Sequence, residues 1–349
     1  MNPISGVFLH ALGGLSAGSF YIPFRKVRNW AWESYWIVSG FAAWIVAPCL
    51  MAFLTVPDLM GVFRSAPAGN ILACYIFGVL WGVGGMTFGL TMRYLGMSLG
   101  YALALGNCAA FGTIIPPVYF GTFDELTSTA SGLVTLGGVM VCLVGIAICG
   151  RAGISKEREL TVDQKRETIR EFDFRKGVFI AIICGIMSAC FAFGIAAGKP
   201  IAVAAKELGT GSLWVNNPVF IPIMVGGFTT NVFWCVFLNI KNRTGKDYIT
   251  SGGASLLHNY MFSSLAGIIW YFQFLFYGMG TTKMGKYDFS SWSIHMAFII
   301  VFSNIWGLIF REWKGSSRRT LVTIVIGILV LIVSTCVIGS GNYLASLGK

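Results

Sequence analysis

Charge is what this sequence has least of. Only 11% of its 349 residues are Asp, Glu, Lys or Arg, against roughly 25% in soluble globular domains. Too little charge remains to cover a water-facing surface, and a soluble fold is excluded. The 14 acidic residues fall in connections or at the ends of apolar runs. A mid-membrane carboxylate, the usual proton carrier of pumps and transporters, is missing. Metal-ligand spacing is missing too. The nine cysteines (49, 74, 108, 142, 149, 184, 190, 235 and 336) all lie inside apolar runs, where cysteine serves as a small packing residue. No disulfide, metal or cofactor is expected. No acid pair, Ser/His/Asp set or metal-spaced cluster marks a catalytic centre, which argues against an enzyme such as a lipid-modifying transferase. No basic region precedes the first apolar stretch, Ile4 to Phe24. That stretch suits a spanning helix better than a cleavable signal peptide.

What the chain does have is apolar length. Hydrophobic residues make up 56% and aromatics 15%, with a mean hydropathy of +0.73. Runs long enough to cross a bilayer occur at 4–24, 34–56, 70–91, 97–119, 132–150, 177–198, 214–238, 255–277, 292–311 and 320–340. The long hydrophilic segment, 151–176, divides these runs into two sets of five. The expected fold is therefore an all-α polytopic membrane protein of ten transmembrane helices. Its parts are a first half at 1–150, a charged connector at 151–176 and a second half at 177–349. The net charge of +11 would suit a nucleic-acid binder, but the cations sit in short connections, and no nucleic-acid partner is expected. The connections after the odd-numbered runs hold 19 Lys and Arg, and the opposite side holds 6. That bias places the odd connections in the cytoplasm and both termini outside.

Five helices per half make the second half enter the membrane upside-down, so repeats here would be inverted ones, a transporter arrangement. Gly6-Val7-Phe8, Gly14 and Phe20 align without a gap on Gly177-Val178-Phe179, Gly185 and Phe191. Gly78, Trp81, Phe88 and Gly89 align likewise on Gly267, Trp270, Tyr277 and Gly278. Gly78, Gly82, Gly85 and Gly89 share one helix face, and the first run carries Gly13, Gly14, Ala17 and Gly18. Small residues let helix backbones approach closely in lipid.

Few residues are left to carry chemistry. With no buried acid, proton coupling falls to Glu33, Asp288, His10, His258 or His295. His10 heads a face with Gly14, Ala17 and Tyr21, and a histidine in a span can titrate near neutral pH. In the eighth run, Asn259, Ser263, Ala266, Trp270, Gln273 and Tyr277 form one stripe at helical spacing. Such a stripe faces protein or a cavity, because lipid cannot satisfy its amides. Amides beside aromatic rings suit a neutral sugar: the amides bond hydroxyls and the rings cover C–H faces. Interhelical hydrogen bonding would use the same residues. Asn107 and Asn231 are isolated intramembrane amides. Pro218 and Pro222 interrupt the seventh run, and broken helices often flank substrate sites. The Arg25-Lys26-x-Arg28 and Arg311…Arg318-Arg319 clusters read as anchors to anionic headgroups. The Asn242-Arg243-Thr244 glycosylation pattern lies on the cytoplasmic side and is discounted.

These residues resemble the L-rhamnose–proton symporter family of the drug/metabolite transporter superfamily. The likeness is carried by GVFLHALGGLSAGSFYIPFRKVRNWAWE (6–33), GLTMRYLGMSLG (89–100) and Trp270-Tyr271-Phe272-Gln273-Phe274 through Tyr277. Further matches are Tyr287-Asp288, Ser291-Trp292, His295-Met296, Glu312-Trp313 and Arg318-Arg319. The resemblance runs over nearly the whole chain. It implies a bacterial inner-membrane symporter that imports L-rhamnose with a proton, on a fold of two inverted five-helix halves. The sequence departs from the family pattern at Asn107 and Asn216-Asn217, where apolar residues are expected. Under this reading the sugar docks against Trp81 and Trp270, with Tyr21, Asn107, Asn231, Asn259, Gln273 and Tyr277 available to it. His10, His295 or Asp288 takes the proton, and the halves rock in alternating access. The sugar, the proton and the bilayer are the partners, and the oligomeric state is left open. The alternative is a facilitator or exporter of another small polar metabolite.

Overall fold

A computed structural model describes residues 2–119, 121, 123–159, 173–250, 255–310 and 313–348. Among them no strand forms. The principal helices are α1 (Pro3–Ser19), α2 (Trp32–Phe41), α3 (Ala47–Thr55), α4 (Ala68–Tyr119), α5 (Ala130–Glu159), α6 (Phe174–Ala197), α7 (Asn217–Asn242), α8 (Leu256–Thr281), α9 (Ser291–Ile309) and α10 (Arg318–Ser346). A five-residue π-helical turn, Ala42–Val46, joins α2 to α3. Nine helices among the described residues are long and apolar enough to cross a membrane. The protein is a multi-pass membrane protein.

The expected third and fourth runs differ from this picture. They form one helix, the 52-residue α4, about 78 Å long at 1.5 Å per residue. That exceeds twice the roughly 30 Å of a hydrocarbon core. No proline lies between Ala68 and Ile115, and Arg93 is the single charge there, so nothing forces the backbone to turn. Among the described residues, α4 holds one candidate span, Ala68–Phe88, and a shorter apolar stretch, Leu103–Ile115. Pro218 and Pro222 do not break α7 either. Pro218 occupies the first turn, where its missing N–H has no partner to lose. The donor absent at Pro222 would have reached back only to Pro218. In the connector, residues 151–159 continue α5, while 160–172 lie outside the described residues, as do Arg311 and Glu312.

The chain folds into two compact units. The first combines Met1–Leu15, Gly84–Ala192 and Met279–Lys349, and the second combines Ser16–Val83 and Phe193–Gly278. Each unit draws on both the early and the late parts of the sequence. In the first unit α5 and α10 run antiparallel over small residues: Thr135 meets Gly341, Gly138 meets Ile338, Gly145 meets Leu331 and Cys149 meets Gly327. A β-carbon at Gly138 would stand 2.6 Å from Ile338 Cγ1 and 2.8 Å from Ile338 N. Gly138→Leu is therefore expected to destabilise the protein by about 1–3 kcal/mol, read as a lower melting temperature in detergent. Gly137→Leu should leave it unchanged, because nothing lies within 4 Å of that position.

The second unit joins α4 to α7 in the same way. Gly78 lies on the backbone of Ile223, and Gly82 lies on Thr230, whose Oγ1 donates to Val79 O at 2.9 Å. From the α7 side, Gly226 meets the Tyr75 carbonyl and Gly227 makes room for the Trp81 ring. Gly85 has nothing within 4 Å and contributes no such contact.

Candidate functional site

The α8 stripe organises the second unit. Asn259, Ser263 and Ala266 are fully buried, and Gln273 and Tyr277 are nearly so. Leu257, Met261, Leu265, Ile268 and Phe272, at the intervening positions, are exposed. A period of 3.6 separates the two faces. The polar face is turned into protein, as its amides require.

A cluster of aromatic rings surrounds Trp270 in this unit. The ring of Phe20 lies 4.0 Å from that of Trp270, Trp36 lies at 5.2 Å and Trp44 at 5.8 Å. Trp81 joins through Trp44 at 5.7 Å and Phe274 through Trp81 at 5.5 Å. Interplanar angles of 73° to 86° make the contacts among Trp36, Trp44, Trp81, Trp270 and Phe274 edge-to-face, the geometry that ring quadrupoles favour. The Trp36 indole N–H donates to Asn231 Oδ1 at 3.2 Å, and Asn231 Nδ2 donates to Gly227 O at 2.8 Å. Asn231 is thereby fixed beside the rings. The indole N–H groups of Trp44 and Trp270 are buried and have no acceptor among the described residues. A buried donor without an acceptor costs about 1–3 kcal/mol. Two such donors in one aromatic cluster give it unused capacity to bond oxygen.

Trp36, Trp44 and Phe20 are absent from the candidate site residues read from the sequence, where Phe20 figures only in the repeat match. Trp44 sits on the π-helical turn, and π-turns within α-helices are frequent at functional sites. Tyr21 was expected on the face of His10, Gly14 and Ala17. However, past the break at Ser19 the backbone stays helical, with Phe20 at φ −63° and ψ −23°, and it is Phe20 that is buried. Tyr21 is 47% exposed and reaches Trp36 only at 6.5 Å.

Asn259 is occupied elsewhere. Its Oδ1 accepts from Arg28 N at 3.0 Å and its Nδ2 donates to Arg28 O at 2.8 Å. It clamps the chain after α1. Asn216 and Asn217 hold helix ends: Asn216 Nδ2 donates to Gly278 O and Asn217 Nδ2 to Thr55 Oγ1. Buried Glu33, in the first turn of α2, accepts from Asn242 Nδ2 at 2.9 Å and Thr244 Oγ1 at 2.8 Å.

Other expected residues lie in the first unit. His10 of α1 and His295 of α9 are enclosed, with ring centroids 6.3 Å apart. Gly280 leaves room for the imidazole, since a β-carbon there would stand 2.8 Å from His10 Cε1. Gly14 does the same for Phe298. One turn before His295, the Trp292 indole donates to Cys108 O at 3.0 Å and its ring stacks on Phe191. Thr113 and Ser293 share a 2.7 Å hydrogen bond. These ties fix the start of α9. Asp288 is half-buried on the 3-10 turn Gly285–Ser290 that leads into it. Asn107 Nδ2 donates to Leu103 O at 2.7 Å within its own helix, and its side chain packs on Gly185. The two units thus divide the chemistry: imidazoles and Asp288 in one, aromatic rings with Asn231 and Gln273 in the other.

Residues 2–344 match the family described as L-rhamnose-proton symport protein (RhaT). Two relatives named L-rhamnose-proton symporter are similar over almost their full lengths. The protein of Yersinia pestis (strain Pestoides F) is 38% identical over 341 residues, covering 97% of this chain and 98% of the relative. That of Cronobacter sakazakii (strain ATCC BAA-894) is 39% identical over 339 residues, covering 96% and 97%.

Proposed function

Because the chain belongs to the L-rhamnose-proton symport family, a family of transporters and not of enzymes, we propose that it imports L-rhamnose or a related deoxyhexose together with a proton. The observation that carries this reading is the match over residues 2–344. The protein works in a bacterial inner membrane with both termini on the periplasmic side. In this reading it crosses ten times as two inverted five-helix halves, 1–150 and 177–349, joined by the cytoplasmic segment 151–176, which requires the continuous helix Ala68–Tyr119 to turn and supply two of the crossings in the bilayer.

The sugar is recognised by the aromatic cluster of the second unit. Trp81 and Trp270 cover its C–H faces, and Asn231 and Gln273 bond its hydroxyls with Tyr277 nearby. The unpaired indole N–H groups of Trp44 and Trp270 support this assignment, because a hydroxyl oxygen is the acceptor they need. Asn259 serves the Arg28 clamp. Tyr21 and Asn107 stand apart from this cluster, Tyr21 outside it and Asn107 in the other unit. The proton is carried by the His10–His295 pair, with Asp288 at the head of α9. Two imidazolium charges about 6 Å apart would repel by roughly 3 kcal/mol at an effective dielectric near 20, so the pair carries one proton. A potential of about 100 mV drives one proton with about 2.3 kcal/mol. At 1.36 kcal/mol per tenfold, that sustains about 50-fold accumulation.

The test is uptake of labelled L-rhamnose by proteoliposomes with and without an inward proton gradient. Gradient-driven accumulation is expected, with selective block by competing deoxyhexoses. Equal, non-accumulating flux in both conditions would make the protein a facilitator. Absence of rhamnose flux would reject the substrate.

A further inference from the structure

One end of the second unit gathers cations around a groove. Val236, Asn239 and Ile240 of α7 line it, followed by Arg243, Lys246 and Tyr248 beyond the helix end. Val236 and Ile240 are exposed, and Phe233 and Phe237 continue the exposed apolar surface along α7. The Tyr248 hydroxyl donates to Asn239 Oδ1 and fixes the ring. The Trp30 ring packs 6.1 Å from Tyr248 and 4.9 Å from Tyr260, bringing the loop that carries Lys26 and Arg28 to the same end.

The nearby acids are engaged with other groups. Glu33 accepts from Asn242 and Thr244, and Asp247 Oδ2 accepts from Ala31 N at 2.8 Å. Among the described residues neither Arg243 nor Lys246 enters an ion pair. Arg243 also sits at the left-handed position that caps α7, with φ 57°. Glycine or asparagine is favoured there, so an arginine sacrifices backbone comfort for charge.

An apolar wall beside two unpaired cations, at the end of a spanning helix and among interfacial aromatics, matches an amphiphile with an anionic head. We propose that the groove binds one anionic phospholipid, its phosphate held by Arg243 and Lys246 and an acyl chain lying along Val236 and Ile240. A free inorganic anion would satisfy the two cations without using the apolar wall, leaving it to the bulk acyl chains.

The test titrates the full-length protein, in neutral detergent, with phosphatidylglycerol or phosphatidylcholine of matched chains, read by native mass spectrometry. One phosphatidylglycerol is expected to be retained at a concentration about tenfold or more below that needed for phosphatidylcholine. Arg243→Gly relaxes the backbone while removing the charge, and combined with Lys246→Gln it should erase the preference. Arg64→Gln with Lys206→Gln removes the same charge from exposed positions elsewhere and should leave the preference intact. Equal retention of the two lipids, or an equal loss in the second pair, overturns the proposal. Displacement by inorganic phosphate overturns the lipid assignment.

Discussion

Trp44→Phe and Trp270→Phe should each raise the half-saturation concentration for L-rhamnose by about two- to tenfold, the value of one hydrogen bond worth about 0.5–1.5 kcal/mol. Both changes keep an aromatic ring and remove an indole N–H that is buried without an acceptor. Trp270→Ala should cost more than tenfold, because it also deletes the ring at the centre of the contacts with Phe20, Trp36 and Trp44. Trp36→Phe is the control. Its N–H is already committed to Asn231 Oδ1, so its loss strands a buried acceptor and lowers stability by about 1–3 kcal/mol. Because that bond also holds Asn231, any rise in its half-saturation should come with a fall in melting temperature, which Trp44→Phe and Trp270→Phe should not show. The measurements are initial uptake rates against rhamnose concentration, paired with melting temperatures of the same preparations. Unchanged half-saturation in both Trp44→Phe and Trp270→Phe would remove the indole N–H groups from the sugar site.

The parts of this site visible in the sequence are those set by helical period. The α8 stripe is readable because burial repeats every 3.6 residues, and the structure buries that face. Trp44 was not readable. A π-turn inserts one residue into the helical register and carries no composition signal, so the inward turn of Trp44 follows only from the coordinates. The break at Ser19 did have a signal, since Gly18 precedes it and Pro23 lacks the N–H that would have bonded Ser19 O, but that signal does not tell which of Phe20 and Tyr21 turns inward. Side-chain type likewise does not reveal the partner. Asn259 and Asn231 look equivalent in sequence, yet one holds the backbone of Arg28 while the other stands among the rings. His10 and His295 were both candidates, but nothing across the 284 intervening positions indicates that their rings meet. The run between residues 68 and 119 shows the opposite limit. Its length suggested two helices, and the backbone, with no proline between Ala68 and Ile115 to stop it, forms one.

His10→Gln and His295→Gln should each abolish gradient-driven accumulation while leaving rhamnose exchange across the membrane intact. Glutamine keeps a polar group of comparable reach but cannot gain or lose a proton in this range. The full gradient effect of about 50-fold should collapse to equilibration. Exchange of labelled for unlabelled sugar should persist within a few-fold, because the aromatic cluster is untouched. The two imidazoles are enclosed and adjacent, so if they share one proton the double variant should be no worse than either single one. Glu33 is a weaker carrier, since Asn242 and Thr244 already bond its carboxylate. Asp288 is the remaining contender and separates the outcomes. If Asp288→Asn alone uncouples transport while both glutamine variants still accumulate sugar, the proton rides on the carboxylate at the head of α9 and the histidines are packing residues. If all three variants uncouple, the imidazole pair and Asp288 form one relay, and the order of proton transfer becomes readable from the pH dependence of exchange in each.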